Sequence, residues 1–377
     1  MKVAQKTIKF LIIAVITVIT STTFALEADK KGHSQNDGGQ VNTQAEVKAY
    51  IQHHLKDSHD FTFFSYSTDK GERKHFGFSL PVILWTSEGL VTFMSSAFHH
   101  NDDGHVVVEK SGLKFAKIHS KIYELDKGAA AVTFDAEHHA TNAAKVLDFS
   151  ITKSVVGILL ACFLMFLVFS KLAKQYKTRK VPIGFGRVLE PLVLYVRDEI
   201  ARPNIGEKKY KKFMGFLLTV FFFIWLLNIL GLTPLGFNVT GQIAVTVCLA
   251  LFTTVIYLFS GSKDFWAHTL WMPGVPYILR PVLAVIELIG FIVIKPFSLL
   301  IRLFANITAG HFVLMSLIAL MVTMKETFGT VGATGMSIVL SLFIFVIELL
   351  VAFLQAFIFT MLSSLFIGMA VEEHEHH

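Results

Sequence analysis

One long uncharged stretch limits the folds that this chain can adopt. No Asp, Glu, Lys or Arg occurs in residues 213–262. As one straight helix this stretch would measure about 75 Å, against about 30 Å for the hydrocarbon core of a bilayer. Glycine and proline interrupt it at residues 231–236, and both residue types favour turns. The pattern therefore predicts two membrane-spanning helices joined by a loop.

The composition is that of a protein that lies mainly in a membrane. Of 377 residues, 53% are hydrophobic and 16% are charged, and the mean hydropathy is +0.57. Residues 171–212 carry twelve Lys and Arg against four acids. Because cytoplasmic loops of membrane proteins have such a surplus, we expect this segment in the cytoplasm and no binding to nucleic acid. Cys162 and Cys248 lie in apolar runs, so neither a disulfide nor a thiol metal site is expected.

The first 25 residues have the pattern of an export signal. Lys2, Lys6 and Lys9 precede an uncharged run at residues 10–20, and Thr23-Phe24-Ala25 places small residues where a signal peptidase would recognise them. We expect a signal peptide at residues 1–25, cleaved after its last residue. A retained membrane anchor is the alternative. In both cases we expect the segment that follows to be exported.

Residues 26–149 have the composition of a water-soluble domain. A polar leader at residues 31–44 precedes short β-branched and aromatic runs separated by Asp, Gly and Ser. The runs occupy residues 61–64, 82–85, 91–94, 105–108 and 131–134. This pattern predicts a small β-rich exported extension. Its eleven histidines, with pairs at 53/54, 99/100 and 138/139, lack a metal-ligand spacing, so we expect no bound metal there.

Residues 150–377 are predicted to form a mainly α-helical membrane domain. Its first span lies at residues 154–170, and residues 188–198 mix apolar and charged residues like a helix at the membrane surface. Two further stretches, 281–324 and 327–370, are too long for straight crossings, so we expect two long, steeply tilted or bent helices. Pro296 predicts a kink and residues 329–335 predict a loop.

With these two helices the mature chain has about five membrane helices. Counting them places the exported extension outside and the C-terminus inside.

Two stripes of polar residues follow the last two helices. Ser298, Arg302 and Asn306 recur at intervals of four, and Lys295 lies within about 20° of Arg302 around an ideal helix. The second stripe recurs at intervals of seven and contains Ser341, Glu348 and Gln355. Two such stripes predict a hydrated path or a sliding contact.

Arg302 and the pair formed by His311 and Glu348 are the candidates for chemistry. A guanidinium stays protonated at physiological pH, and its placement in mid-membrane costs about 2.5 to 3.5 kcal/mol, so such a residue usually marks an ion pathway. Snorkelling from a helix end is the alternative. His311 and Glu348 could transfer protons, because imidazole titrates near neutrality. A structural hydrogen bond for His311 and a structural ion pair for Glu348 remain open, and Lys295 reads as an interfacial anchor.

Two sequence blocks resemble subunit a of the membrane sector of F-type ATP synthases. They are IRLFANITAGH at residues 301–311 and IELLVAFLQAFIFT at residues 347–360. Lys295-Pro296, the NILGLTP segment at 228–234 and the MAVEEH tail at 369–374 support the resemblance, which covers roughly residues 148–374. The extension is similar to those of this subunit in Bacteroidetes-like bacteria.

The resemblance implies a stationary, non-catalytic proton-channel subunit of a rotary ATP synthase in the bacterial inner membrane, without a cofactor. It implies Arg302 facing a ring of c subunits, Gln355 beside it and Asn306 on the same path. His311 and Glu348 would belong to the half-channel on the exported side. Accessory candidates are Ser298, Lys295, Glu287, Ser341 and Asn228. Implied partners are the c-ring, the b subunits of the peripheral stalk, the remaining synthase subunits and the lipid bilayer.

Glu287 lies one residue further from Arg302 than the comparable acid in several members of this family. Two other classes of function stay open from the residues alone. One is a secondary transporter or autonomous ion channel, although no internal repeat is evident. The other is an exported binding module held by inert helices, which would leave Arg302 and Glu348 unexplained. The choice between H⁺ and Na⁺ is also open.

Overall fold

The computed structural model divides the chain into two compact units. The first contains residues Met1–Gly157, Gly231–Asn238 and Phe312–Phe345, and the second contains the remaining segments. The described residues are 56–67, 73–99, 101–135, 140–178, 181–233, 237–271 and 275–372. The predicted signal peptide and polar leader lie outside them, as do five further histidines of the extension: His53, His54, His100, His138 and His139.

Within the described residues, the N-terminal extension contains three antiparallel sheets. The first pairs β1 (Asp60–Ser67) with β2 (Arg73–Ser79). The second has the order β4-β3-β9, with β3 (Pro81–Thr86) between β4 (Gly89–Met94) and β9 (Leu147–Asp148). The third has the order β5-β6-β7-β8, formed by β5 (Asp103–Lys110), β6 (Leu113–Ile118), β7 (Lys121–Leu125) and β8 (Ala143–Lys145). A β-rich extension is therefore confirmed.

Alternation along the strands builds the core of the extension. Val82 and Leu84 are completely buried, while Trp85 between Leu84 and Thr86 is 58% exposed. Phe98 and Phe115 join the same core cluster, since successive strand side chains point to opposite faces. Most of the predicted runs are strands, but residues 131–134 form only an isolated bridge from Phe134 to Ala140. The prediction of a strand there is wrong, because this segment follows a turn and pairs at one position only.

Charged groups inside the extension are paired. Lys117 and Asp60 are both buried, with Nζ and Oδ2 3.0 Å apart, and the Ser95 hydroxyl donates to the other carboxylate oxygen at 2.6 Å. His59 Nε2 lies 2.8 Å from Asp148 Oδ2. Burial raises the pKa of Asp148, but hydrogen bonds and the charge of His59 outweigh it and hold this pKa below its usual value.

The extension continues into the first membrane helix without a free linker. The Ile151 amide donates to the Pro81 carbonyl, and the Lys153 amide donates to the Ser58 carbonyl. Helix α1 begins at Lys153, and the Ser154 amide in its first turn donates to the Asp57 carboxylate at 3.0 Å. An acid at this position satisfies an amide that has no partner within the helix.

The second part of the chain is helical. Its elements are α1 (Lys153–Thr178), α2 (Gly186–Tyr195), a π-helical turn at Val196–Ala201, α3 (Arg202–Ile205), α4 (Tyr210–Gly231), α5 (Ile243–Phe259), α6 (Lys263–Leu270), α7 (Arg280–Ile289), a second π-helical turn at Gly290–Ile294, α8 (Lys295–Thr323) and α9 (Lys325–Val371). The uncharged stretch at 213–262 contains α5 and all of α4 except its first three residues, so the two predicted helices are present.

Four helical segments in the described part of the chain are long and apolar enough to cross a membrane. They are Lys153–Thr178, Tyr210–Gly231, Arg280–Leu317 and Thr327–Val371. Helices α5 and α6, bent by 101° at their junction, make a fifth span if counted together. The chain is thus a multi-pass membrane protein with a β-rich extension, which confirms the predicted fold class.

The predicted loop at residues 329–335 is wrong. Only Gly329 leaves the helical conformation, with φ 68° and ψ 169°, and α9 continues on both sides of this kink. Ala333 is completely buried, and the Ser337 hydroxyl donates to the Leu317 carbonyl at 2.7 Å. These tertiary contacts stabilise a helix that the local glycines disfavour.

The predicted irregularity near Pro296 lies one turn earlier. Residues Gly290–Ile294 are π-helical, directly before α8. In π-helical geometry, the amide of residue 296 would donate to the Phe291 carbonyl five residues earlier. Residue 296 is proline, which has no amide proton, so it cannot make this hydrogen bond. The Tyr257 hydroxyl donates to that carbonyl instead. The Phe291 carbonyl therefore has a hydrogen-bond donor in spite of the proline.

Candidate functional site

Helix α8 has one buried face and one exposed face. Leu299 and Leu303 are completely buried. Ser298, Arg302 and Asn306 lie on the opposite side and are exposed. The burial pattern follows the helical period, so the predicted stripe is a real face of the helix. The described part of the chain does not cover it.

Arg302 has no hydrogen bond or ion pair with any described residue. Ala305 and Ala309, which share its side of α8, are small and exposed. Small residues let another helix approach the backbone closely. A fixed positive charge on such a surface can interact with an acid on a separate chain.

Lys295 lies at the other end of this stripe and has a different environment. Its Nζ lies 3.2 Å from the centroid of the Phe291 ring and 5.2 Å from that of Phe366. Both aromatic rings are buried. These cation–π contacts hold the ammonium against the protein, which agrees with an anchoring role. Glu287, one of the accessory candidates, is half-buried on α7.

The stripe on α9 is buried. Ser341, Glu348 and Gln355 are 6%, 7% and 2% exposed. The Ser341 hydroxyl and the Gln355 amide nitrogen have no hydrogen-bond partner among the described residues. Buried polar groups in this state are uncommon, and a water or an ion can satisfy them.

Glu348 packs directly against the backbone of Gly310 on α8. A Cβ atom at position 310 would overlap the Glu348 carboxylate. A larger residue at position 310 would therefore displace the carboxylate from its present place against α8. The side chain of the next residue, His311, lies outside the described part of the structure, so only its place on α8 is known. Glu348 makes no ion pair with a described residue.

The two polar stripes meet at one hydrogen bond. The Asn306 amide donates to Gln355 Oε1 at 3.2 Å. Asn306 is exposed and Gln355 is buried, so the bond connects the open face of α8 with the interior. One turn from Asn306, Arg302 occupies the same open face. The structure thus brings Arg302, Asn306 and Gln355 into one region.

Asn228 connects α4 to this region. It is 3% exposed, donates to the Ala352 carbonyl at 3.2 Å and accepts from the Thr240 hydroxyl at 3.0 Å. Ala352 lies between Glu348 and Gln355 on α9. The sequence named Asn228 only as an accessory candidate. Thr240 was not singled out, since only the fold brings it near.

Together these residues provide three kinds of group. Arg302 supplies a fixed charge on an open helix face, Glu348 supplies a buried acid, and Gln355 with Asn306 supplies amides between them. Such a set can attract an external carboxylate and transfer a proton to or from the interior. The MAVEEH tail beyond residue 372 lies outside the described residues.

Comparisons with known proteins match both parts of the chain. The family model described as ATP synthase A chain matches residues 155–368. A second model, Domain of unknown function (DUF8433), matches residues 50–149. The chain is 43% identical over 238 residues to "ATP synthase subunit a 2" of Chlorobaculum tepidum, which covers 61% of this chain and 66% of that protein.

Two further relatives have similar identities. "ATP synthase subunit a 2" of Prosthecochloris aestuarii is 44% identical, with 61% of this chain and 71% of that protein covered. "ATP synthase subunit a" of Myxococcus xanthus is 42% identical, with 61% and 76% covered. The match to the Chlorobaculum tepidum protein spans just under two thirds of that protein's own length.

Proposed function

This chain belongs to the ATP synthase A chain family, and we propose that it is the stationary proton-channel subunit of a rotary ATP synthase. In this function the chain performs no catalysis of its own. It provides two half-channels beside a ring of c subunits, and proton flow through them turns the ring. The observation that carries the proposal is Arg302, which lies exposed on the open polar face of α8 and has no partner among the described residues.

Arg302 would separate the two half-channels. A permanent cation attracts the ionised form of a carboxyl group and favours release of its proton. It also repels protons that would otherwise pass directly between the channels. The small residues beside it, Ala305 and Ala309, leave room for a c-subunit helix to approach. Lysine at this position could lose its proton when desolvated, so it should not replace arginine fully.

The exported half-channel would use Glu348 and His311. Glu348 is buried against Gly310, and His311 follows that glycine in the chain. An acid and an imidazole in neighbouring positions can transfer a proton from water to a c-subunit carboxyl. That carboxyl, once neutral, can turn toward lipid. The unpartnered Ser341 hydroxyl, on the same helix as Glu348, could bind water on this path.

Gln355 and Asn306 would order the space next to Arg302. Their hydrogen bond fixes the Gln355 amide at the boundary between interior and open face. The Gln355 nitrogen has no partner within the described residues, so it can donate to a c-subunit carboxylate or to water. Ser298, Lys295, Glu287 and Asn228 would have supporting roles.

The proposal places the extension on the exported side and the C-terminus in the cytoplasm, with the signal peptide removed. Domain boundaries at residues 25 and 149 belong to this proposal. Its partners are the c-ring, the b subunits of the peripheral stalk and the catalytic head. A pull-down of this chain from detergent-solubilised membranes should recover them. Recovery as a lone subunit that transports a substrate would instead support a secondary transporter.

The direct test is ATP-driven proton pumping in membranes that contain the whole complex. Arg302→Ala should assemble normally and abolish pumping. Arg187→Ala is the matched control, because Arg187 is an exposed arginine on α2 and should leave pumping unchanged. Pumping at the wild-type rate in the Arg302→Ala complex would refute the proposed role.

A second experiment tests the exported half-channel by itself. The double variant His311→Ala, Glu348→Ala should lose proton transport in both directions while the c-ring still co-purifies. Retained transport would remove this pair from the pathway without affecting the role of Arg302.

A further inference from the structure

Two sheets of the extension have different outward faces. In the sheet of β5 to β8, outward positions such as His105, Glu109 and Lys121 are polar and exposed. In the sheet of β4, β3 and β9, the inward residues Val82 and Leu84 are completely buried, yet the outward residues other than Thr92 are also apolar. An antiparallel sheet with one face in water normally alternates between apolar and polar residues. The second sheet therefore has a mainly apolar outward face in addition to its buried inward face.

The outward residues of this sheet are neighbours across the strands. Trp85 pairs with Leu90 on one side and with Leu147 on the other. Side chains directly opposite in an antiparallel pair lie in contact range. The exposed fractions are 58%, 59% and 65% for these three residues. Met94 on β4 and Phe149 just after β9 are also exposed. These five residues are called the outer apolar face.

The outer apolar face lies close to the start of a membrane span. Phe149 precedes Lys153, the first residue of α1, by four positions, which is at most about 14 Å of extended chain. The connection is also fixed: the amides of Phe149 and Ile151 donate to β3 carbonyls, and the Lys153 amide donates to Ser58. The sheet cannot move far from the point where the chain becomes membrane-spanning.

A second contact joins the extension to a loop between membrane helices. The rings of Phe61 and Phe237 lie 5.3 Å apart, and both side chains are buried. Phe237 belongs to the segment between α4 and α5. The extension is thus attached to two chain segments that lead into apolar helices, and both attachments restrain it near the membrane surface.

We propose that the outer apolar face lies in the headgroup region of the exported leaflet, as a monotopic lipid contact. Tryptophan is favoured at this depth, because its ring is apolar and its N–H is polar. Lipid is the occupant that both attachments bring within reach, whereas a protein partner is not implied by them. The contact would hold the extension flat on the membrane. It does not depend on the proton path, so each proposal can fail alone.

The experiment uses a fluorescent probe on the outer apolar face of the intact complex. Native cysteines, including the exposed Cys162 and Cys248, are exchanged for alanine, and Leu147→Cys is labelled with an environment-sensitive NBD group. Lys121→Cys, on the charged outward face of the other sheet, is the matched control. Both positions are exposed, so labelling should not disturb the core. The complex is then placed in vesicles of phosphatidylcholine brominated near the headgroup, with iodide on both sides.

The expected result is quenching of the Leu147→Cys probe by brominated lipid and its protection from iodide, with the reverse for Lys121→Cys. A Leu147→Cys probe that iodide quenches as strongly as the control would overturn the proposal, because the face would lie in water. Protection from both quenchers would also overturn it, because a protein would then cover the face. ATP-driven pumping of the labelled complex, measured in parallel, reports on the proton path separately.

Discussion

Buried acidic and basic side chains of the extension have partners, whereas Glu348, the buried acidic side chain among the described residues of the helical part, has none. In the extension, Lys117 and Asp60 form a hydrogen-bonded ion pair that also includes Ser95. In the helical part, Glu348 is buried to a similar degree but makes no ion pair with any described residue. Arg302, on the open face of α8, has no described partner either.

Under the proposed function, this difference separates groups that stabilise the fold from groups that serve proton transport. An ionisable group without a partner in an apolar environment costs free energy, so it does not stabilise the fold. The pair in the extension is satisfied within the chain and should affect only the stability of that domain. Arg302 and Glu348 remain available to water, protons or another subunit. If this separation is right, changes at the paired groups of the extension alter only its stability, and changes at Arg302 or Glu348 alter only proton transport.

Lys117→Met should destabilise the extension by about 3–5 kcal/mol, because it leaves the buried Asp60 carboxylate without its cation. The measurement is resistance of the extension to a protease added to the intact complex. Lys121→Met, at an exposed position, is the control and should have wild-type resistance. Proton transport should persist in both variants. Loss of transport with an undamaged extension would contradict the separation.

Glu348→Gln should have the opposite profile. A positioned proton-transfer group typically contributes about 100-fold or more to a rate, so proton transport should fall by about that factor. The extension and the assembly of the complex should be unaffected. Glu190→Gln serves as the control, because Glu190 lies on α2 and accepts a hydrogen bond from Tyr176. Transport within twofold of the control would show that Glu348 is only structural.

Gly310→Ala should have an intermediate effect. The new methyl group would overlap the Glu348 carboxylate, and overpacking of this kind costs about 1–3 kcal/mol. The result should be displacement of the acid and a fall in transport of about tenfold. Gly215→Ala on α4 is the matched control, since a Cβ there meets nothing within 4 Å. If the two variants transport equally, the close approach of Glu348 to α8 has no functional role.

Asp148→Asn should have the weakest effect, about 1 kcal/mol on the extension, because the contact with His59 is partly exposed. The folded-state pKa of Asp148 lies below its usual value. Its stabilising effect is therefore present above the ordinary aspartate range and is lost as pH falls through the lowered value.

Hydrogen exchange of the β3 and β9 amides should thus be faster in the variant at pH 6 and equal to wild type in strong acid. A difference that grows toward low pH would have the wrong sign and would exclude this pairing as the cause.

The membrane helices and the polar stripes could be predicted from the sequence. Uncharged length fixes the spans, and intervals of four and seven residues fix which side chains share a face. It could not show that the stripe of α8 is open while that of α9 is buried, because this depends on packing between helices. The approach of Glu348 to Gly310 depends on the same packing, although the small residue itself was visible.

Local rules failed where tertiary contacts prevail. Glycines at positions 329–335 predicted a loop, but the burial of Ala333 and the bond from Ser337 maintain the helix. A run at 131–134 had strand composition, but among the described residues it forms a β-bridge only at Phe134. In both cases the residues allow two conformations, and distant segments decide between them.

The π-helical turn at Gly290–Ile294 changes how distances along this helix should be counted. Its hydrogen bonds close over five residues instead of four, so it absorbs one additional residue per turn. Glu287, fifteen positions before Arg302, therefore occupies about the angular place of the fourteenth. The resemblance to this family implies a comparable acid one residue nearer to the arginine. A single inserted residue can thus be accommodated by widening one turn, which keeps an upstream side chain in phase with the arginine.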